Sequence, residues 1–262
     1  MPEIVHWNPK RWGRLGSGPV TRWIPARKGF DNFGDLLGPI IVRRLHSRHG
    51  LGKPRGRTPR LLAVGSIMRL AASGDVVWGA GVNGKTVDTA EFPLVDVRAV
   101  RGPRTAAVLR SFGNDVPNVF GDPALLLPHL WTDEELGIRR KTGGTVLMPN
   151  YNDLKSWPDE AIDPRGNPIE RVRLLASAER VIASSLHAIA IAEAYGVPAV
   201  LVASSKEKPF KYLDYYEGTG REAPSASDSW QHALDAPPAP PITDWDHGAL
   251  LAAFPTDLWH VR

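Results

Sequence analysis

Apolar residues in this chain come in short runs, and their spacing changes from element to element. PEIVHWN reads as a first strand, and RLLAVGSIM and DVVWGAGV as two buried strands that each run into glycine. The stretch GFDNFGDLLGPIIVRRLHSRHG reads as a loop followed by an amphipathic helix opening at Asp31 or Asn32. Pro39 is tolerable there only near a first turn. AEFPLVDVRAVRGPRTAAVLRSFG predicts a strand and then a helix opening near Gly102 and Pro103, and NVFGDPALLLP a strand and turn. LWTDEELGIRRKTGG is polar and reads as a link, after which TVLMPNY restarts as a strand before a helix at about 168–178. VIASSLHAIAIAEAYGVPAV then forms a strand–turn–helix–strand unit, with Ser184 or Ser185 as the helix cap and Gly196 just past the helix end. DHGALLAAF closes the chain as a short helix capped by Asp244 or Asp246.

Strands alternating with helices predict an α/β protein of two Rossmann-like halves facing a cleft. The boundaries read as an N-terminal α/β domain at 1–130, a C-terminal α/β domain at 131–225, and an extension at 226–262 that packs back on the first.

Composition narrows the function classes. At 42% hydrophobic and 23% charged, the 262 residues are those of a globular protein. There is no apolar run long enough to cross a membrane, no secretory leader in the opening residues, and no cysteine for a disulfide or thiolate site. The expected address is the cytoplasm, including the inner face of the membrane. Eight histidines lack the HExxH spacing, so no metal and no cofactor are expected. The net charge of +4 is mostly arginine, densest at Arg11 to Arg14, Arg43 to Arg60 and Arg98 to Arg110. These patches are not interleaved with aromatics, so nucleic acid is not an expected partner; small anions and acidic membranes are.

Several stretches carry candidate chemistry. His187 sits in a first helical turn at a strand's carboxyl end, where open α/β sheets place ligands, although a histidine held by its neighbours is the plainer reading. In NFGD, Asn32 and Asp35 flank Gly34; capping explains part of this, and a close backbone approach with Asp35 as general base explains the rest. Gly65 and Ser66 (AVGSIM) and Gly79 (WGAGVN) end strands where amides can face an anion or simply pack. GAGVNG matches a dinucleotide fingerprint by letter, but KTVDTAEFP after it is too short and too β-like for the helix required. Arg98, Arg101 and Arg104 lie at a strand-to-helix turn, where some would reach the cleft. FGDP reads as plain turn chemistry at Asp122. KPFKYLDYYEG reads as a helix over a cleft, its aromatics either packed or offered to a sugar.

The order of these pieces, N-x-G-D, VGS, WGAG, V-R-x-x-R-G-P-x-T, GDPALLLP and S-x-L-H-A before EAYGVPAV, resembles the polysaccharide pyruvyl transferase family, nearest its exopolysaccharide ketolase (succinoglycan-type) branch, over about 30–220. The resemblance implies a GT-B-like fold and transfer of the pyruvyl group of phosphoenolpyruvate onto two hydroxyls of one sugar, giving a cyclic ketal and phosphate. The acceptor it implies is a lipid-linked or cell-wall glycan precursor. His187 and Asp35 are then the catalytic candidates; Asn32, Gly34, Gly65, Ser66, Gly79, Arg98, Arg101, Arg104, Ser184 and Ser185 are the substrate-binding ones. One departure stands out: many members carry R-L-H where this chain has Ser185-Leu186-His187. A GT-B glycosyltransferase using a nucleotide sugar, and a non-catalytic glycan- or anion-binding homologue, are the alternatives.

Overall fold

The structure is a computed structural model describing residues 1–14, 25–56 and 58–261; Arg57 of the second basic patch lies outside the described residues. The chain opens with β1 (Ile4–Val5) and an antiparallel pair, β2 (Arg11–Arg14) and β3 (Pro25–Lys28). Then come α1 (Phe33–Arg48), β4 (Leu51–Pro54), β5 (Leu61–Leu62), β6 (Val76–Trp78), β7 (Asp96–Ala99) and α2 (Pro103–Ser111). Two short helices, α3 (Leu127–Leu130) and α4 (Asp133–Leu136), lead to the second half. That half holds β8 (Thr145–Met148), α5 (Pro168–Ser177), β9 (Arg180–Ala183), α6 (Leu186–Ala194), β10 (Ala199–Leu201) and α7 (Phe210–Gly218). The last segment carries α8 (Trp230–Ala233), α9 (His247–Ala252) and β11 (Trp259–Val261).

Two parallel sheets result, ordered β1-β5-β6-β7 and β10-β9-β8. Their strands are buried along their length at Val76–Trp78 and Ala199–Leu201, as expected of parallel strands covered on both faces. Helix α6 is apolar all round, and Leu186 through Ala192 are buried among β9, β10, α5 and the Pro123–Leu126 turn. One apolar cluster joins Phe33 and Leu37 of α1 to Ala183, Ile189 and Tyr215, so the two sheets share a core. Arg101 and Asp214 add a fully buried ion pair (2.9 Å) between α2's start and α7. In the last segment β11 pairs antiparallel with β4, and Trp78 Nε1 donates to the Leu250 carbonyl (2.9 Å).

One local expectation changes, the dinucleotide reading fails as the sequence predicts, and one open alternative resolves. Pro39 lies well inside α1, which begins at Phe33 and runs through it, so packing of the buried face (Leu37, Ile41, Val42) outweighs the lost backbone bond. The GAGVNG turn is followed by turns rather than a helix, which removes the dinucleotide reading: a side chain at Gly79 would strike Pro123, and one at Gly81 the Arg101 guanidinium. The aromatics of α7 face inward, with Tyr212, Tyr215 and Tyr216 buried, so they offer no sugar platform.

Candidate active site

A cleft of about 360 Å³ opens where α1 and α6 begin. Asn32 is the N-cap of α1, but its side chain does not cap; its Nδ2 donates to Asp35 Oδ2 (2.7 Å). Asp35 lines the cleft, and burial pushes its carboxyl above the ordinary value, opposed by His187 and by the Asn32 hydrogen bond. Gly34 lets the two helix starts meet: a Cβ there would lie 2.1 Å from His187 Nδ1. Gly65 does the same for the carboxylate, since its φ is +101° and a Cβ would lie 2.9 Å from Asp35 Oδ1.

His187 follows the α6 N-cap, Ser185, and both line the cleft. Its Nε2 points to Asp122 Oδ2 at 3.6 Å, and neither buried atom has another partner among the described residues. Asp122 Oδ1 meanwhile caps the following turn by accepting from the Ala124 amide (2.9 Å). The FGDP motif therefore does more than turn the chain: it sets a fully buried carboxylate behind the histidine. No local signal in the sequence pointed to that.

The arginine triplet behaves differently from expectation. Arg98 binds Asp96 and Asp257, and Arg104 binds Glu217, all outside the cleft. Arg101 approaches it only through Ser66, whose Oγ accepts from Nη1 (2.7 Å), and its charge is matched by Asp214. Ser184 is a buried connector: its Oγ donates to Asp153 (3.0 Å) and accepts from the Asn150 amide (2.8 Å), and its carbonyl accepts from Tyr212 OH (2.6 Å). Gly79 packs against Pro123 and does not line the cleft.

Other cations take the arginines' place. Lys85 and Lys211 both bind Glu207 from the cleft wall. Burial pushes the Lys211 ammonium below its ordinary value against the pull of Glu207. Burial likewise raises Glu207, but the two lysines outweigh it and hold that carboxylate low. Arg69 also lines the cleft; it is exposed and has no hydrogen-bond or ion-pair partner among the described residues. An arginine four residues after the strand-end glycine Gly65 was the available signal for it. Among the described residues no group of three or more His, Asp or Glu could hold a metal ion, and no helix is long and apolar enough to cross a membrane.

Residues 32–206 match the family model described as polysaccharide pyruvyl transferase. The succinoglycan biosynthesis protein ExoV of Rhizobium meliloti is 29% identical over 177 residues, which make up 61% of this chain and 54% of that protein. The chain thus spans about half the length of the curated relative it matches. An uncharacterized protein of Klebsiella pneumoniae superposes with a TM-score of 0.46 at 12% identity, over 71% of this chain and 83% of that one. The matched stretch runs from Asn32, which holds the Asp35 carboxylate, past the histidine at the start of α6, and on it the chain belongs to the polysaccharide pyruvyl transferase family.

Proposed function

We propose that this protein transfers the pyruvyl group of phosphoenolpyruvate to two hydroxyls of one sugar in a surface-glycan precursor, forming a pyruvate ketal and releasing phosphate. The observation that carries the reading is the meeting of Asp35 and His187 at two helix starts in one cleft that also gathers Arg69, Lys85 and Lys211. The two parallel sheets around a shared cleft are what we read as a GT-B-like arrangement.

The chemistry assigns a task to each group. The donor is a compact polyanion, and Arg69, a guanidinium without a partner among the described residues, suits a carboxylate or phosphate in a two-pronged contact. Arg69, with the two lysines, supplies the positive charge that many members draw from the arginine replaced here by Ser185. The methylene carbon of the donor gains a proton, which makes C2 electrophilic, and a sugar hydroxyl bonds to C2 as it loses its own proton. A second hydroxyl then bonds to C2 and the C2–O bond to phosphate breaks, the second proton leaving with the phosphate. Both proton transfers need groups that exchange protons near neutrality. An Asp35 pushed upward by its surroundings holds a proton more readily than an ordinary carboxylate and acts as acceptor of the hydroxyl proton. His187 delivers the proton to the methylene carbon. With Nε2 turned to Asp122, its Nδ1 edge is the one left toward α1 and the cleft.

Thermal denaturation with phosphoenolpyruvate, against a panel of nucleotide sugars, tests this. A ligand at about 100 times its dissociation constant stabilises by roughly 2.7 kcal/mol. Stabilisation by phosphoenolpyruvate, absent in Arg69→Ala, supports the reading. Stabilisation by a nucleotide sugar alone overturns it in favour of glycosyl transfer.

A further inference from the structure

Trp7, Phe30 and Tyr151 reach the cleft from three separate segments: the exit of β1, the turn before α1 and the exit of β8. Their rings meet edge to face, Trp7 with Phe30 at 4.9 Å and Phe30 with Tyr151 at 4.3 Å. Phe30 is buried between the other two, which stay half-exposed. Arg165 covers the ring of Tyr151 from 4.8 Å.

The cluster is held with unusual care. Asn8, next to Trp7, and Asp31, next to Phe30, exchange a reciprocal pair of hydrogen bonds (3.0 and 2.9 Å). Asp31 is locked at a φ of +56°, a conformation that costs a non-glycine residue energy, and its carbonyl also accepts from the Gly166 amide (2.9 Å). The next residue is Asn32, which holds Asp35. Phe30 and the proposed base thus belong to one hydrogen-bonded turn, to which the Asn8–Asp31 pair ties the Trp7 segment.

Resting on the pyruvyl-transfer reading, we infer that Trp7, Phe30 and Tyr151 form the acceptor subsite, a wall on which a pyranose ring stacks its C–H face while its hydroxyls turn toward Asp35. The polar lining fits. Among the described residues, the side chains of Asn83 and Asn150 use only their carbonyl oxygens within the protein, each accepting a backbone N–H at 3.0 Å, which leaves both amide nitrogens to donate to hydroxyls. Half-exposed aromatic rings beside amides and a carboxylate match a neutral sugar ring, whereas the donor anion belongs with Arg69 and the lysines. Trp7 and Phe30 precede the stretch that matches the family model, so the wall is assembled partly from residues of this chain outside that match.

Saturation-transfer NMR with methyl β-D-glucopyranoside and methyl β-D-galactopyranoside tests the subsite, with phosphoenolpyruvate-dependent melting measured on the same samples. The wild-type protein should transfer saturation to ring C–H protons of at least one glycoside. Trp7→Ala and Tyr151→Leu should each weaken that binding roughly fivefold to tenfold, while Trp7→Phe retains most of it. All variants should keep the melting shift with phosphoenolpyruvate, which also shows that they fold. No saturation transfer to either glycoside in the wild type, undiminished transfer in both weakened variants, or displacement of the glycoside by uridine would overturn the proposal. Glycoside binding without a phosphoenolpyruvate shift keeps the sugar wall and removes the donor assignment instead.

Discussion

Asp122 Oδ2 lies 3.6 Å from His187 Nε2, and neither buried atom has a hydrogen-bond partner among the described residues. A buried carboxylate oxygen without another donor favours the proton on the facing ring nitrogen, so Asp122 acts as a positioning residue that selects the histidine tautomer. Asp122→Asn keeps an oxygen for the Ala124 amide and should fold normally. Turnover should fall on the order of 100-fold with donor KM little changed. Unchanged kcat in Asp122→Asn would leave Asp122 as a turn residue alone.

Gly34→Ala places a methyl group 2.1 Å from His187 Nδ1. Overpacking of this kind costs about 1–3 kcal/mol, and each kcal/mol lowers Tm by about 2–4 °C in a chain of this size. Activity should fall further than stability, because relief requires the histidine itself to move. Calorimetry alongside phosphate release separates the two effects.

The raised Asp35 carboxyl sets a sign for stability against pH. A folded-state value above the unfolded one means that the folded chain binds the proton more tightly. Its stabilising contribution is complete below the unfolded value of 3.8 and is lost as pH rises through the folded value. Asp35→Asn should therefore match the wild type in Tm near pH 4 and exceed it progressively above, while losing turnover. His187 pulls this carboxyl downward, so His187→Gln should raise it further, visible in the carboxyl stretch by infrared titration.

Arg69 is exposed, and among the described residues no group bonds to it. Arg69→Ala should leave Tm within 1 °C, roughly, while weakening phosphoenolpyruvate binding by about 10- to 100-fold, the scale of a charge-assisted contact. Isothermal titration measures it directly.

Arg101 and Asp214, both fully buried, tie the start of α2 to α7. Asp214→Ala strands a buried guanidinium and should cost about 3–5 kcal/mol in urea unfolding. The double variant Arg101→Met, Asp214→Leu should cost clearly less than the sum of its single changes.

What the sequence by itself determined is local. Ser185 before an apolar run, Gly196 after it and the β-branched residues ahead of it place His187 in a first helical turn, and α6 forms there. Asn32, Gly34 and Asp35 lie within one turn, and Gly102-Pro103 opens α2 as read. Caps, periodicity and glycine positions act over a few residues, so they survive any arrangement of the rest. What only the tertiary structure decided is which of these local pieces face one another. Asp122 reaches His187 across 65 positions of chain, Lys211 turns into the cleft from a helix whose tyrosines are core, and Arg98 and Arg104 are drawn away by Asp257 and Glu217. Charge pairing and burial depend on sheet order and helix packing, and spacing in the sequence carries no record of a partner that folding brings from a hundred residues away.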